Sequence, residues 1–366
     1  MSQKAKAVIF RELNRPVRVE DVEVLSPGPD EVMIKVAACG VCHSDLSATN
    51  GTITVPEGTV LGHEAAGTIV ELGERVTDLK MGDTVGVSWI PMCGTCKFCL
   101  MGRPALCDRP MKHGPKMPDG TSRLRDSSGK ELSHFMSTAV MAEYATLHRN
   151  SVIKIDPGIP MECAALVGCA VTTGVGAVLN TAKVEAGSVV VVIGAGGVGL
   201  NAIQGAVLAG ARVVVAIDTA DQKLEFAKIF GATHVINPKT DGNPVDKVRK
   251  TVGAPDYVFE CIGLAETIQQ SYMMLRKGGM AVIVGIAPAT QKVELPALHL
   301  SVTEKILTGS MYGSTRPRID FPKFIDLYKA KRLKLDELVT ARYRIEDAAQ
   351  AFDDMKKNAR GVIMFG

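Results

Sequence analysis

The chain has 366 residues, of which 46% are hydrophobic and 22% are charged, a composition typical of a soluble globular protein. Its 42 lysine and arginine residues nearly balance its 39 aspartate and glutamate residues, and a net charge of +3 argues against a nucleic acid or a membrane surface as partner. This length is long for a single hydrophobic core and predicts two domains.

The N-terminus and the cysteine content indicate the cytoplasm. The first residues, Met1-Ser2-Gln3-Lys4-Ala5-Lys6, lack the apolar core of a signal peptide. No run of eighteen apolar residues is visible, and the longest apolar stretch, Val189–Ile193, has the length of a strand. Nine cysteines in such a chain favour metal binding or chemistry over disulfides. We therefore expect a cytoplasmic protein without a membrane partner.

The first part of the chain is predicted to be a small, β-rich, barrel-like domain with functional loops. Apolar or alternating runs separated by turn residues are typical of strands, and they lie at 6–10, 31–37, 65–72 and 84–88. Between them, the stretch Cys42-His43-Ser44-Asp45 sets a thiol, an imidazole, a hydroxyl and a carboxylate side by side. Ser44 or Asp45 is expected to cap a short helix that ends near Asn50.

Four cysteines, Cys93, Cys96, Cys99 and Cys107, lie within fifteen residues of one another. Four thiolates can close a tetrahedral shell around zinc with no open position. Buried free cysteines are the alternative, but such short spacing beside glycine and lysine is poorly explained by packing. The pattern predicts a structural zinc lobe.

A second set of candidate metal ligands is spread along the chain. Residues 108–135 are predicted to be a long loop, and a helix that begins near Met161 leads to Cys169. Cys42, His63 and Cys169 together offer two thiolates and one imidazole, a set that can hold zinc and leave a fourth position free for substrate. His43 is an alternative imidazole ligand, although adjacent residues rarely both face one metal.

The segment Gly194-Ala195-Gly196-Gly197-Val198-Gly199 directly follows a β-branched run at 188–193 and precedes a helical pattern over 200–209. In this context Gly-x-Gly-x-x-Gly predicts a dinucleotide-binding Rossmann fold and not a chance glycine turn. A tight turn, close backbone approach to a pyrophosphate and the positive end of a helix are its physical basis.

Asp218 ends the next predicted strand, about twenty residues after the glycines as the fingerprint requires. A carboxylate at this position accepts hydrogen bonds from ribose hydroxyls and repels a 2′-phosphate, which favours NAD over NADP. The alternative role for Asp218 is to cap a helix over 220–230.

Alternating strands and helices continue to about residue 311 and predict a doubly wound parallel sheet. Gly285 and Ile286, near the end of a strand at 280–286, are expected to contact the cofactor. The expected fold class is α/β, with this Rossmann sheet beside the β-rich catalytic domain. The predicted catalytic domain covers 1–171, the cofactor domain covers 172–311, and 312–366 returns to the catalytic domain.

Together these motifs resemble zinc-dependent alcohol dehydrogenases of the medium-chain dehydrogenase/reductase superfamily, over about residues 5–366. The resemblance is carried by the motifs at 40–45 and 62–64, the four-cysteine lobe, Gly-Cys before Thr-Thr-Gly at 168–174, and the glycine fingerprint. A Cys₂His ligand set is the known zinc-ligand pattern of alcohol dehydrogenases. The resemblance implies a split GroES-like catalytic domain, NAD, and two zinc ions per subunit, one catalytic and one structural.

The resemblance also assigns roles to single residues. Catalytic zinc would be held by Cys42, His63 and Cys169, with Glu64 either an occasional ligand or a balancing charge. Asp45 would orient His63, and Ser44 would take the alcohol proton. Cofactor contacts would come from His43, Thr173, Val198, Lys223 and Arg360. The substrate pocket would be lined by Ile53, Trp89, Phe135 and Met141. Trp89 and Phe135 are alternatively plain core residues, and Lys223 a solvated helix position.

Ser47 departs from the family pattern. Many members have a histidine three residues after the relay hydroxyl, which passes the proton to solvent. With Ser47 in that place, water or His43 is expected to complete the relay.

The implied activity is reversible oxidation of a primary aliphatic or aryl alcohol, with hydride transfer to NAD. A formaldehyde dehydrogenase acting on a thiol adduct is disfavoured because Ile53 is apolar where those enzymes are acidic. A zinc- and NAD-using lyase or reductase, or a non-catalytic cofactor-binding protein, are further alternatives. The resemblance implies a homodimer or a tetramer, and the apolar segment 305–311 is a candidate edge strand across a two-fold axis.

Overall fold

A computed structural model describes residues 2–108, 114–356 and 360–366 of the chain. The chain divides into two compact units, one formed by Met1–Cys169 and Arg316–Gly366, the other by Ala170–Thr315. The divisions expected from the sequence lie after residues 171 and 311.

The N-terminal part of the first unit consists of short strands separated by turns. The strands are β1 (Gln3–Phe10), β2 (Arg18–Val24), β3 (Glu31–Gly40), β4 (Thr59–Val60), β5 (Ala65–Leu72), β6 (Thr84–Val87), β7 (Leu124–Asp126), β8 (Ser133–His134), β9 (Tyr144–His148) and β10 (Val152–Lys154). Two short helices lie among them, α1 (His43–Thr49) and α2 (Lys97–Leu100).

The region 108–135 is not the uninterrupted loop that its polar composition predicted. It contains β7 and β8, and β7 pairs antiparallel with β2. Strands of two or three residues are too short to show alternation, and they form because a neighbouring strand supplies the backbone partners. Residues 109–113 of the expected loop lie outside the described residues.

One helical stretch, Met161–Ala182, carries the chain from the first unit into the second. It comprises α3 (Met161–Leu166), a π-helical segment (Val167–Val171), α4 (Thr172–Gly176) and a second π-helical segment (Ala177–Ala182). By its 22 residues and mean hydropathy of 1.7 it is long and apolar enough to cross a bilayer, but 83% of its most apolar window is buried, as in a core helix. Glycines and threonines interrupt its apolar residues, so the sequence does not show it as one apolar run.

The second unit alternates strands and helices. Its strands are β11 (Val189–Ile193), β12 (Val213–Ile217), β13 (His234–Ile236), β14 (Tyr257–Glu260), β15 (Met280–Ile283) and β16 (Ile306–Gly309). Its helices are α5 (Gly197–Leu208), α6 (Asp221–Ile229), α7 (Pro238–Asp241), α8 (Pro244–Val252), α9 (Ala265–Met274) and α10 (Ala297–Val302).

The six strands of the second unit form one parallel sheet in the order β13-β12-β11-β14-β15-β16. Counted from β11, this is the 3-2-1-4-5-6 order of a dinucleotide-binding sheet. Every residue of β11 is buried, which explains its continuous β-branched sequence. The predicted doubly wound parallel sheet is confirmed.

The C-terminal segment rejoins the first unit. It contains α11 (Pro317–Lys329), β17 (Ala341–Arg344), α12 (Ala348–Asp353) and β18 (Gly361–Met364). Strand β18 pairs antiparallel with β3 and parallel with β17. Among the described residues, the first unit has one sheet in the order β7-β2-β1-β4-β8 and another in the order β10-β6-β5-β3-β18-β17, with β9 also paired to β3.

Candidate active site

Three candidate metal ligands meet in the interior of the first unit. Cys42 ends the turn after β3, His63 lies between β4 and β5, and Cys169 lies in the π-helical segment after α3. Their ligand atoms lie within 4.8 Å of one another, and all three residues are buried. Residues far apart in sequence are therefore brought to one point, and His43 is exposed and outside this group.

Two glycines next to the ligands allow the close backbone approaches that this site requires. Gly62 has a φ of +91°, and a Cβ atom on it would lie 2.3 Å from the backbone nitrogen of Met141. A Cβ atom on Gly168 would lie 2.6 Å from the carbonyl oxygen of Val87. Any larger side chain at either position would push a ligand away from the cluster.

Asp45 faces the Nδ1 side of the His63 ring. Its Oδ1 lies 3.4 Å from His63 Nδ1 and accepts a hydrogen bond from the Gly62 N–H at 3.0 Å. Its Oδ2 accepts from the Cys42 N–H, so Cys42 and not Ser44 or Asp45 is the N-cap of α1. A carboxylate against one imidazole nitrogen leaves the other free to bind a metal.

The donor atoms of this cluster fit zinc. Both ring nitrogens of His63 are buried without a hydrogen-bond partner among the described residues, and Nε2, the nitrogen that does not face Asp45, is available to a metal. Burial alone would lower the pKa of His63, but the facing charges of Asp45 and Cys42 hold that pKa well above its usual value. A hydrogen bond from Cys169, with the charges of Arg360 and His63, holds the pKa of the Cys42 thiol well below its usual value.

Glu64 and Arg360 form a buried ion pair next to Cys42. Arg360 Nη2 lies 2.9 Å from Glu64 Oε2 and 3.8 Å from Cys42 Sγ, and Arg360 Nη1 donates to the carbonyl of Val41 at 3.0 Å. Burial would lower the pKa of Arg360, but Glu64, Cys42 and Cys169 raise it above its usual value. Arg360 was expected to bind the pyrophosphate; in the structure its guanidinium is engaged by groups of the first unit.

The predicted relay residues lie on α1. Ser44 is partly buried, and its hydroxyl lies 3.8 Å from Cys42 Sγ. Ser47 is also partly buried, and its carbonyl accepts a hydrogen bond from the Ile53 N–H. The hydroxyl of Ser44 therefore lies next to a sulfur of the ligand cluster.

Two of the four predicted pocket residues contact the His63 ring. Trp89 lies edge-on to it at a centroid distance of 6.5 Å, and Phe135 does so at 5.6 Å. Ile53 is partly buried and packs against the main apolar core of the first unit. Met141 is fully buried within that core, and its backbone N–H donates to the carbonyl of Leu61.

The four-cysteine lobe brings its thiols together as its spacing predicted. Cys93 Sγ lies 3.9 Å from Cys99 Sγ, Cys96 Sγ lies 3.8 Å from Cys107 Sγ, and all four lie within 4.8 Å of one another. Burial would raise the pKa of Cys93, but donation from the N–H groups of Thr95 and Cys96 lowers it to about 6. Backbone donors aimed at a sulfur favour the thiolate, the form that binds zinc.

The glycine fingerprint of the second unit has the geometry of a phosphate-binding turn. Gly194 has a φ of +96°, and a Cβ atom on Gly199 would lie 1.7 Å from the Gly194 carbonyl oxygen. A Cβ atom on Gly196, the N-cap of α5, would have no atom of the described residues within 4 Å, so the backbone there is open to close approach by a ligand. Gly197 and Val198 begin α5, whose N–H groups point toward such a ligand.

Asp218 lies at the carboxyl end of β12, next to this turn. Its carboxylate accepts hydrogen bonds from the Ala195 N–H at 2.9 Å and the Ala220 N–H at 3.1 Å. Helix α6 is capped by Ala220, so the alternative role of Asp218 as its N-cap is wrong. Lys223 lies on α6, Thr173 on α4, and Gly285 and Ile286 follow β15.

The pairing of Glu64 with Arg360 was not predicted from the sequence. The two residues are 296 positions apart, and no local pattern links them. The available signal was a buried acid beside a metal ligand, which needs a compensating cation.

Comparisons with known proteins agree with this geometry. Residues 28–157 match the model of the alcohol dehydrogenase GroES-like domain, and residues 197–330 match that of the zinc-binding dehydrogenase family. An alcohol dehydrogenase class-3 of Dictyostelium discoideum is 40% identical over 371 residues, which cover 98% of this chain and 97% of that protein.

Solved structures give the same result over the whole chain. An alcohol dehydrogenase zinc-binding domain protein from Burkholderia ambifaria has a TM-score of 0.95 and 31% identity. A benzyl alcohol dehydrogenase from Acinetobacter calcoaceticus has a TM-score of 0.93 and 31% identity. Each comparison covers 100% of both chains, and the predicted fold class is confirmed.

Proposed function

We propose, from the premise that the chain belongs to the zinc-dependent alcohol dehydrogenases of the medium-chain dehydrogenase/reductase superfamily, that it oxidises a primary alcohol with NAD as hydride acceptor. The buried cluster of Cys42, His63 and Cys169 is the observation that carries this proposal. Two thiolates and a neutral imidazole with an open fourth position are the ligands of a catalytic zinc, and this set is the known alcohol dehydrogenase pattern.

The residues of the first unit divide the work at the substrate oxygen. Zinc, when bound, polarises that oxygen, and a bound nicotinamide supplies the hydride acceptor. Asp45 holds His63 in the orientation that presents Nε2. Ser44 Oγ accepts the proton of the alcohol while its own proton leaves toward solvent. Since Ser47 replaces a relay histidine, water or His43 takes that proton.

The charge around Cys42 is held in balance by Arg360. Two thiolates cancel the charge of a divalent cation, and Glu64 adds a further negative charge nearby. The guanidinium of Arg360 lies against both Glu64 and Cys42 and offsets that charge. This role supports a site tuned for a neutral alcohol substrate.

The choice of NAD is supported by Asp218 and the glycine turn. The carboxylate of Asp218 is held at the end of β12 by two backbone donors. A fixed negative charge there accepts ribose hydroxyls and repels the 2′-phosphate of NADP. The open backbone beside Gly196 gives the pyrophosphate its close approach.

The substrate class is proposed to be primary aliphatic or aryl alcohols. Trp89 and Phe135 present aromatic edges to His63 and are nearly fully buried, so the surroundings of the metal ligands are apolar on this side. The related structure from Acinetobacter calcoaceticus is a benzyl alcohol dehydrogenase, which supports an aryl substrate here.

A panel assay tests this function. The zinc-loaded chain is supplied with ethanol-type, benzyl-type and secondary alcohols, and with formaldehyde plus glutathione, each with NAD and with NADP. The proposal expects the highest kcat/KM for a primary or benzyl-type alcohol with NAD. A preference for the glutathione adduct, a preference for NADP, or no dehydrogenase activity would contradict it.

We also propose that the chain forms a homodimer through β16. This strand is the outer member of the parallel sheet, and its Ile306 and Leu307 are 45% and 36% exposed. An exposed apolar edge strand is a template for pairing with a second copy. Light scattering of Leu307→Lys should show a smaller species than the parent, whereas Leu13→Lys, at another exposed leucine, should not. Equal sizes for parent and Leu307→Lys would overturn this arrangement.

A further inference from the structure

Glu260 is a buried carboxylate that the proposed chemistry does not use. It is the last residue of β14 and has no solvent exposure. Its Oε1 accepts from the Ile262 N–H at 2.9 Å, the Gly263 N–H at 2.8 Å and the Thr267 hydroxyl at 2.8 Å. Its Oε2 also lies 3.1 Å from the Gly263 nitrogen. Burial raises the pKa of this carboxyl group, so its retention inside the unit needs a reason beyond packing.

The backbone of Glu260 organises a second segment. Its carbonyl oxygen accepts from the Val284 N–H at 2.8 Å and from the Gly285 N–H at 3.0 Å. The side chain of Glu260 therefore holds the segment that follows β14, and its carbonyl group holds the segment that follows β15.

The two segments that leave these strands interlock. A Cβ atom on Gly285 would lie 2.1 Å from the Gly263 nitrogen. Gly263 itself has a φ of +89°, and a Cβ atom on it would lie 2.5 Å from the carbonyl carbon of Ile286. Backbone contacts this close leave little freedom, so the position of residues 261–264 decides the position of residues 284–286.

The same segment lies against the phosphate-binding turn. The Cys261 N–H donates to the Ile193 carbonyl at 2.8 Å, and a Cβ atom on Gly194 would lie 2.7 Å from Ile262 Cγ1. Glu260 thus connects the glycine turn to the carboxyl ends of β14 and β15.

The order of the sheet shows which half of a dinucleotide these segments face. Asp218 directly follows β12 on one side of β11, and Glu260 is the last residue of β14 on the other side. With the ribose of adenosine at Asp218 and the pyrophosphate at the glycine turn, the nicotinamide half extends over the ends of β14 and β15.

We infer that Glu260 is a positioning residue for the nicotinamide half of NAD. Its carboxylate holds residues 261–264, and through them residues 284–286, in the conformation that receives the nicotinamide and its ribose. Glu260 touches no ligand itself because its side chain is fully buried. This inference rests on the proposed use of NAD.

The test compares two ligands on the zinc-loaded full chain. The Kd for NADH depends on contacts with both halves of the dinucleotide, whereas the Kd for AMP depends only on contacts with the adenosine half at Asp218. Glu260→Ala removes every acceptor of the carboxylate, and we expect the Kd for NADH to rise about tenfold or more, which corresponds to about 1.4 kcal/mol. We expect the Kd for AMP to stay within about twofold of the parent value, because a mutation distant from a bound ligand changes its binding free energy by no more than about 0.5 kcal/mol.

Two further variants separate positioning from a general loss of structure. Glu260→Gln keeps one acceptor oxygen, and its Kd for NADH should stay within about threefold of the parent, since neutral hydrogen bonds replace charged ones. Thr267→Val removes one hydrogen-bond donor to Glu260 while it keeps the shape of the side chain. It should raise the Kd for NADH about threefold, the effect of one hydrogen bond. If Glu260→Ala does not fold, the Thr267→Val and Glu260→Gln measurements decide.

Several results would overturn the inference. The first is an NADH Kd within twofold of the parent value for a folded Glu260→Ala chain or, where that variant does not fold, for Thr267→Val. The second is an equal loss of affinity for NADH and for AMP. The third is a Glu260→Gln chain that binds NADH as weakly as Glu260→Ala does. A parent chain that binds neither NADH nor AMP would instead overturn the proposed cofactor, and the inference with it, so the two failures are distinguishable.

Discussion

The guanidinium of Arg360 lies 2.9 Å from the carboxylate of Glu64, and both side chains are buried beside the Cys42 sulfur. The pair joins the segment before β18 to the segment before β5, which are adjacent through β3. It therefore places a fixed positive charge next to the ligand cluster and ties the C-terminal segment to it.

The first prediction concerns the loss of that pair. Arg360→Met removes the cation that faces the buried Glu64 carboxylate, and the free energy of unfolding should fall by about 3–5 kcal/mol. The double variant Arg360→Met/Glu64→Gln should recover much of this loss, because the negative charge of the carboxylate is removed together with the cation. Arg75→Met, at an ion pair with Asp30 in which the arginine side chain is 63% exposed, is the control and should cost less than about 1 kcal/mol. Denaturant unfolding measures all four chains, and equal losses for Arg360→Met and Arg75→Met would contradict the prediction.

The four-cysteine lobe gives a second prediction, about metal content. Cys96→Ser should lower bound zinc from about two ions per chain to about one and should lower the melting temperature, because a closed shell of four thiolates stabilises the fold around it. Cys163→Ser changes a buried cysteine whose thiol faces Asp336, and it should leave zinc content unchanged. Elemental analysis after gel filtration measures the metal. Full zinc content in Cys96→Ser would contradict a zinc site in this lobe.

His134 predicts a loss of stability in acid. Burial, with the charge of Arg123 and opposed by Asp119, lowers the pKa of His134 from its usual 6.5 to about 3, and its Nε2 accepts from the Arg123 N–H. The unfolded chain takes up a proton below pH 6.5 while the folded chain does not, so stability falls as pH drops from 6.5 toward 3. By linkage the loss at pH 5 is roughly 2 kcal/mol.

A matched variant isolates this effect from the titration of other groups. His134→Gln keeps an acceptor for the Arg123 N–H but does not titrate. As pH falls from 7 to 5, the free energy of unfolding of the parent should therefore decrease by roughly 2 kcal/mol more than that of His134→Gln. A difference that is independent of pH would show that His134 titrates in the folded chain at its usual pKa.

Asp218 yields a prediction about cofactor choice. Asp218→Asn keeps an acceptor for one of the two backbone donors, at Ala195 or at Ala220, and removes the negative charge. The ratio of kcat/KM with NADP to kcat/KM with NAD should rise about tenfold or more, since the repulsion of a 2′-phosphate is removed. Steady-state rates with each cofactor measure the ratio, and an unchanged ratio would remove Asp218 from cofactor discrimination.

The parts of the fold that the sequence predicted are those with strong local signals. Strand β11, the glycine turn and α5 follow one another within twenty residues, and their hydrophobic and glycine patterns are unambiguous. The lobe was predictable for the same reason, because its four thiols are close in sequence.

Other parts depend on partners that are far away in the chain. Strand β2 (Arg18–Val24) carries four charged residues and was not predicted, and it forms by pairing with β1 over seven residues. The cap of α1 was predicted at Ser44 or Asp45, but Asp45 accepts from the Cys42 N–H and moves the start of the helix to His43. The ligand set of Cys42, His63 and Cys169 was predicted from the family resemblance. Cys169 lies 127 positions after Cys42 and 106 positions after His63, and no local spacing pattern connects residues so far apart.

The central claim is that the cluster of Cys42, His63 and Cys169 holds the metal at which an alcohol is oxidised. Cys42→Ala is the direct test, and Cys39→Ala, at a buried cysteine outside the cluster, is its matched control. Zinc content and the rate of NADH formation from a primary alcohol are measured on both variants and on the parent. We predict that Cys42→Ala loses about one zinc per chain and at least about a thousandfold in kcat/KM, while Cys39→Ala loses neither. A Cys42→Ala chain that oxidised alcohols as fast as the parent would contradict the account.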